Sequence, residues 1–214
     1  MKNNKIYLLI AIIGIAVILF ALFKLTTSNE FTYSGRNSDY RFTVEQVSGI
    51  TIYRPHVFLA DKENIYTFRN KPQDLDKLNL LDESNLSRIL SRKTLSRVFV
   101  TRDLNLSTLT NDGVSVAIAP LDDILNVKRP TSVYKLQFDR EFTEFGYGNT
   151  KNRIIDCDTA NYNIEENKYL VIYLKLGDED KIYAQGKCII VQGKDSEGLT
   201  KASEKLAYYL LGII

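Results

Sequence analysis

The strongest pattern in the chain is an apolar run with no polar face. Residues 6–23, "IYLLIAIIGIAVILFALF", are uninterrupted and bounded by Lys5 and Lys24. At about 1.5 Å per helical residue the run reaches roughly 27 Å, close to the hydrocarbon thickness of a bilayer. A helix buried in a soluble core keeps a polar stripe, and a cleavable signal has a shorter core with small residues at its cleavage site. Here "FALFKLTTS" closes the run and no such site follows. The pattern predicts a retained signal-anchor, with residues 1–24 forming a cytoplasmic N-terminus and one transmembrane helix.

Beyond it, "LTTSNEFTYSGRNS" is small and polar, which predicts a tether over 25–38 and a folded domain over 39–214. "YRFTVEQV" and "GITIYRP" alternate as strands, and "HVFLADKENIYTFR" reads as a hairpin turning at "ADKEN". Pro72 opens a short helical turn. "DESNLSRILSRKTL" is an amphipathic helix with acids in its first turn and Arg92 and Lys93 at its end. "RVFVTRD" and "GVSVAIAP" read as strands and "LDDIL" as one helical turn. "NVKRPTS" is a breaker, placing a lobe boundary, or a join between halves of one sheet, near 127–132.

The second half offers strands at "VYKLQFD", "RIIDCD", "KYLVIYLKL" and "KIYAQGKCIIVQ", with Gly186 as a bulge or break. Finally, Leu199, Ala202, Leu206, Tyr209 and Ile213 recur at helical spacing, so one helix face packs on the sheet, and Gly212 ends the helix. No regular βαβ alternation emerges. The expectation is an α+β fold: a mixed, mainly antiparallel sheet packed by a few helices including the C-terminal one.

Charge sharpens the orientation and removes one partner class. The formal charge is +2, from 28 basic and 26 acidic residues. Lys2, Lys5 and Lys24 surround the apolar run, and setting them aside leaves 25 basic against 26 acidic residues. A near-neutral domain lacks the footprint of a nucleic-acid binder. The short basic flank before the run favours an N-terminus inside and a C-terminal domain outside. In an oxidising space Cys157 and Cys188 would pair as a disulfide; elsewhere they would be two buried thiols. The sequons at Asn85 and Asn105 would then be open to glycosylation.

Chemistry is scarce. "GKDSEGLT", Gly193–Thr200, lies near the phosphate-cradling pattern G-x-x-x-x-G-K-[ST]. Leu199 replaces the lysine and belongs to the apolar stripe, so the stretch reads as a helix cap by Asp195 or Ser196. His56 is the single histidine, which excludes His-based metal clusters and marks it as structural. No cofactor or metal is expected.

Paired acids that might serve hydrolysis are Asp122 with Asp123, Asp156 with Asp158, Glu165 with Glu166, and the turn Asp178–Glu179–Asp180. All sit in turn-like stretches, where solvated acids are ordinary. Phe142, Phe145 and Tyr147, flanked by glycines, form a candidate ligand surface, with core packing as the alternative. Arg88, Arg92, Lys93 and Arg97 are a candidate basic patch, with a solvated face as the alternative.

"YTFRNKPQDL" and "DCDTAN…KCIIVQGKDSEGLTKASEKLAYYLLGI" resemble uncharacterised archaeal single-pass membrane proteins with an exported domain. The resemblance implies the same anchored organisation and carries no activity. The expected protein is a cell-membrane, single-pass binding or structural module of the envelope. Its partners are the bilayer, through residues 6–23, and an envelope or membrane protein. A carboxylate-dependent hydrolase of an envelope polymer and an accessory subunit of a membrane complex are the alternatives. A hydrolase predicts a cleft with converging acids; a binding module predicts an exposed apolar patch.

Overall fold

A computed structural model of the chain describes residues 29–92, 94–103, 106, 111–140, 157 and 169–214. Strands β1 (Asn29–Ser34), β2 (Asp39–Val47), β3 (Ile50–Leu59) and β4 (Lys62–Ile65) form an antiparallel sheet in chain order. Ser48 and Gly49 join β2 to β3, and Ala60 and Asp61 join β3 to β4. All four take positive φ, at 52°, 81°, 48° and 63°. Two such residues in a two-residue loop make the type I′ turn, whose twist matches that of the flanking strands. β1 lies within the segment expected as a tether. Its Phe31 and Tyr33 alternate inward onto the core, with Phe31 stacked on Phe42 at 4.8 Å.

The second sheet corrects the expectation of one mainly antiparallel sheet. It comprises β5 (Asn79–Leu80), β6 (Arg97–Arg102), β7 (Gln137–Arg140), β8 (Tyr169–Leu176), β9 (Lys181–Gln185) and β10 (Cys188–Gly193), in the order β5-β9-β10-β8-β6-β7. Only β9–β10 is antiparallel; the other four pairings are parallel. The cause is visible in composition. "VFV", "LVI" and "CIIV" at the centres of β6, β8 and β10 are buried without alternation, as parallel strands covered on both faces are.

Among the described residues four helices are traced in full: α1 (Pro72–Leu75), α2 (Glu83–Leu90), α3 (Asn111–Leu125) and α4 (Ser196–Leu210). α3 overturns another expectation, since "GVSVAIAP" is helical and not a strand. Val114, Ala117, Ile118, Leu121, Ile124 and Leu125 are buried at helical spacing. That period emerges only when "LDDIL" is read continuously with the stretch before Pro120. α3 supplies the crossover that parallel β6 and β7 require. Residues 127–132 fold back onto its end, where Ser132 Oγ and the Val133 amide both donate to the Ile124 carbonyl, at 3.1 and 2.9 Å. One core cluster draws on residues from both sides of this connection.

α4 is the centre of the molecule. Asp195 caps it by accepting from the Gly198 amide at 2.8 Å. Its far end closes on Gly212 at φ 73°, with Gly212 N–H donating to the Tyr209 carbonyl and Ile213 N–H to that of Tyr208, at 3.0 and 2.9 Å. This is a Schellman motif, which needs a residue without Cβ cost at positive φ. From Gly198 to Leu210 every residue except Lys201 is buried, so the expectation of a single buried face falls short.

The six-stranded sheet lies against one side of α4. On another side Tyr208 stacks on Phe68 at 4.0 Å and meets Phe42 of β2 at 6.1 Å. Ser203 donates to the Ala117 carbonyl of α3. The buried charges are also partnered. Glu204 accepts from the Arg69 and Asn70 amides at 2.7 and 2.9 Å and from Asn70 Nδ2 at 2.7 Å. Lys205 Nζ donates to the Leu75 carbonyl, at the end of α1, at 2.9 Å.

The opposite face of the large sheet carries a second cluster of Phe99, Val171, Ile190 and the paired Cys157 and Cys188. The Cys157–Cys188 disulfide has Cα atoms 5.4 Å apart and joins positions 31 residues apart. A closure of that length stabilises the fold by about 3–4 kcal/mol in the chain-entropy model. Among the described residues no helix is long and apolar enough to cross a membrane, and the run 6–23 lies outside them.

Glu204 gives the fold a measurable signature. Burial pushes its carboxyl above the ordinary value, against the pull of its three donors. The folded chain then holds this proton to higher pH than the unfolded chain. The group's contribution to stability is therefore greatest below the ordinary value and declines as pH rises through the raised one. Glu204→Gln should remove that slope. It also turns an amide toward backbone donors, a loss of about 1–3 kcal/mol in denaturant titrations. An unchanged midpoint would show that the three bonds contribute nothing.

Candidate functional site

The two type I′ turns fix the register of β2, β3 and β4, and register decides which side chains share a face. Arg41 pairs with His56 and His56 with Ile65; Thr43 pairs with Arg54, Val47 with Ile50 and Phe58 with Glu63. One face of these strands, bearing Tyr40, Phe42, Pro55 and Val57, is buried against α4 and its neighbours. The other bears Arg41, Thr43, Glu45, Val47, Ile50, Ile52, Arg54, His56, Phe58, Glu63 and Ile65, and no described element covers it.

That outer face is unusually apolar for one turned to water. Of six exposed large hydrophobic residues among those described, four lie on it: Phe58 at 69%, Val47 at 47%, Ile65 at 44% and Ile50 at 43%. They form two groups at opposite ends of β3, Val47 with Ile50 at one and Phe58 with Ile65 at the other.

Between them sits a polar network. His56 Nδ1 lies 2.8 Å from Glu63 Oε1, and His56 Nε2 lies 2.7 Å from Thr43 Oγ1. Arg41 Nη2 donates to the same Glu63 oxygen at 3.1 Å and stands 3.0 Å from His56 Nδ1. With Nδ1–H directed at Glu63, Nε2 of the neutral ring accepts from the Thr43 hydroxyl; in the imidazolium, Nε2–H donates to Thr43 Oγ1. The His56 side chain is only 10% exposed. The Glu63 carboxyl is held below the ordinary carboxylate value, chiefly by the His56 hydrogen bond and further by Arg41. Arg54 and Glu45 pair beside the network at 3.1 Å.

Hydroxyl, imidazole and carboxylate thus stand in the order a nucleophilic relay uses. Catalysis would also require donors aimed at a developing oxyanion and a site that holds substrate. The strand amides around Thr43 and His56 are directed into the sheet ladder. Two cavities among the described residues, of 440 and 560 Å³, are lined by other residues, the first by Arg69, Asn70 and the start of α4, the second by Arg36, Tyr134 and the end of α4. The four hydrogen-bonded side chains hold one another at the centre of an exposed surface and fix its charge pattern.

No protein-family model matches the chain, and no curated protein or solved structure is significantly similar to it. Its function must be argued from its own geometry.

The remaining sequence candidates fall in different places. At "GKDSEGLT", Asp180 occupies the helix entrance that a phosphate would need. It accepts from the Lys194 amide at 2.7 Å, and a Cβ on Gly198 would stand 2.1 Å from its Oδ1. Leu199 is fully buried. Asp122 and Asp123 both face Arg129, with Asp122 buried beneath it. Glu179 pairs with Lys181 at 2.6 Å. Asn85 sits in the first turn of α2, where its amide donates to Asp82 and accepts from Arg88 at 2.7 Å. Arg97 lies over the Phe99 ring at 4.6 Å. Phe142, Phe145, Tyr147, Asn105, Lys93, Asp156, Asp158, Glu165 and Glu166 lie outside the described residues. Among those described, no three His, Cys, Asp or Glu residues group to hold a metal.

Thr43, Glu63 and Arg41 escaped the sequence reading, because His56 is noticed by type and its partners only by register. The signal was present in the two-residue turns "SG" and "AD", which set 41 directly opposite 56 and make 43 and 63 its diagonal neighbours on the same face. Carbon-detected NMR titration should find the Glu63 midpoint below that of an ordinary glutamate, and His56→Ala should return it upward. The lowered value also means that this carboxylate's contribution to stability is present above the ordinary pKa and lost as pH falls through the depressed one. A midpoint that does not move in His56→Ala would dissolve the network as an electrostatic unit.

Proposed function

We propose that the protein is a single-pass, membrane-anchored module whose domain lies outside the cytoplasm and binds a protein of the envelope. The observation that carries the binding reading is the uncovered outer face of the four-stranded sheet. At its β3–β4 end Phe58 and Ile65 stand in water next to the Arg41–His56–Glu63 network. An aromatic anchor beside fixed charges is the composition of interface hot spots, where apolar burial gives affinity and charge gives orientation. The Cys157–Cys188 bond supports an oxidising location, and the apolar run 6–23 supports the anchor. The hydrolase alternative draws no support from Asp122, Asp123, Glu179 or Asp180, each of which is engaged within the fold.

Two experiments test this reading. Both native cysteines are paired, so an Asp61→Cys variant places one reactive thiol at an exposed turn. A membrane-impermeant maleimide should label it in intact cells; labelling only after permeabilisation overturns the outward orientation. Phe58→Asp with Ile65→Asp should preserve the circular dichroism spectrum. It should also abolish a complex that the full-length wild-type chain retains in mild detergent. Equal retention by both chains would remove the outer face from the function.

A further inference from the structure

The other apolar group on the outer face has a different neighbour. β1 begins at Asn29 opposite Val44, and β2 continues three residues further, to Val47, before turning. At about 3.4 Å per residue the β2–β3 tip stands roughly 10 Å beyond the start of β1, on the side from which the chain enters the domain. From Phe23, the last residue of the apolar run, to Asn29 the chain has six links. Even fully extended these cover only about 20 Å. The tip takes up half of that reach. The remainder is comparable with the headgroup layer, roughly 5–8 Å thick on each side of the hydrocarbon.

The tip is built for that layer. Val47 and Ile50 face each other across the turn, both nearly half exposed, with only Ser48 and Gly49 beyond them. The Glu45–Arg54 pair lies on the same face one step behind. Apolar side chains at the leading edge followed by charges match the polarity gradient from acyl chains to headgroups. Two aliphatic side chains would not hold a free protein on a bilayer. An anchor a few residues away makes the encounter intramolecular, and weak partition then suffices.

From this geometry we infer that the Val47–Ile50 hairpin tip seats in the headgroup region of the bilayer, fixing the domain upright on its anchor. The inference rests on the anchored reading above. It divides the outer face by depth: the tip meets lipid, while Ile65, level with His56, and Phe58 lie six and eight residues beyond Ile50 along the sheet, about 20 and 27 Å away from it.

The test uses the full-length chain in phosphatidylcholine–phosphatidylglycerol vesicles that carry a nitroxide-labelled lipid headgroup. Ser48→Cys and Asp61→Cys, each bearing a bimane, report the two ends of β3, and both replaced residues already occupy positive φ. Flotation of the vesicles first establishes whether the chain is anchored. In floated samples quenching at position 48 should exceed that at 61 by roughly threefold or more, consistent with their difference in depth. Val47→Asp with Ile50→Asp should reduce it toward the level at 61. Equal quenching at 48 and 61 in chains that float overturns the seated tip and leaves the anchor standing. A chain that fails to float overturns the anchor, and the tip proposal falls with it.

Discussion

The structure depends on the burial of α4 from all sides. A helix packed on one sheet offers one apolar stripe, and its polar residues remain in water. α4 offers that stripe to β10 and its neighbours, then presents Tyr208 to Phe68 and Phe42 of the first sheet and Ser203 to α3. Its remaining polar residues must therefore be satisfied inside the protein. Glu204 gathers the amides of residues 69 and 70, and Lys205 holds the last carbonyl of α1. These bonds place the segment between β4 and α1, and through it the small sheet, at a fixed orientation to the large one. The outer face is exposed because the inner face is committed to this helix.

How far the sequence revealed this follows from the range of each interaction. Local chemistry was legible. Gly212 as a helix terminator, Asp195 as a cap and the alternation of β2 and β3 all act within a few residues, and each stands where the pattern placed it. The disulfide was legible for a different reason: only two cysteines exist to pair. Parallel pairing in the large sheet was not, since β6, β8 and β10 are distant in the chain and share only a buried composition. "GVSVAIAP" misled because period two and period 3.6 coincide over so short a run, and Pro120 split the helix that would have decided between them.

The candidate site was the least legible part. His56 is a lone residue until β2, β3 and β4 are set in register, and its meaning lies in Thr43, Glu63 and Arg41 across three strands. Similarly, Phe58 and Val47 read as ordinary strand residues in sequence, since either face of a strand can be the buried one. Only the position of α4 determines which face stays uncovered. The exposed face is a by-product of packing on the far side of the sheet.

The contact between the two ends of the described chain has a consequence for the order of folding. Tyr40 donates to the Gly212 carbonyl across 172 residues, and Glu204 holds Asn70 across 134. The β1–β4 sheet is made first and can close its own hairpins, but the helix that covers its apolar side follows it by more than a hundred residues. Contacts this distant cost loop entropy before they return anything, and they slow folding. During synthesis the first sheet therefore waits with Phe42, Val57 and Phe68 unburied, an interval in which such chains aggregate or bind chaperones. Completion of α4 therefore sets the moment at which the apolar side of the first sheet is closed and the domain becomes a protein.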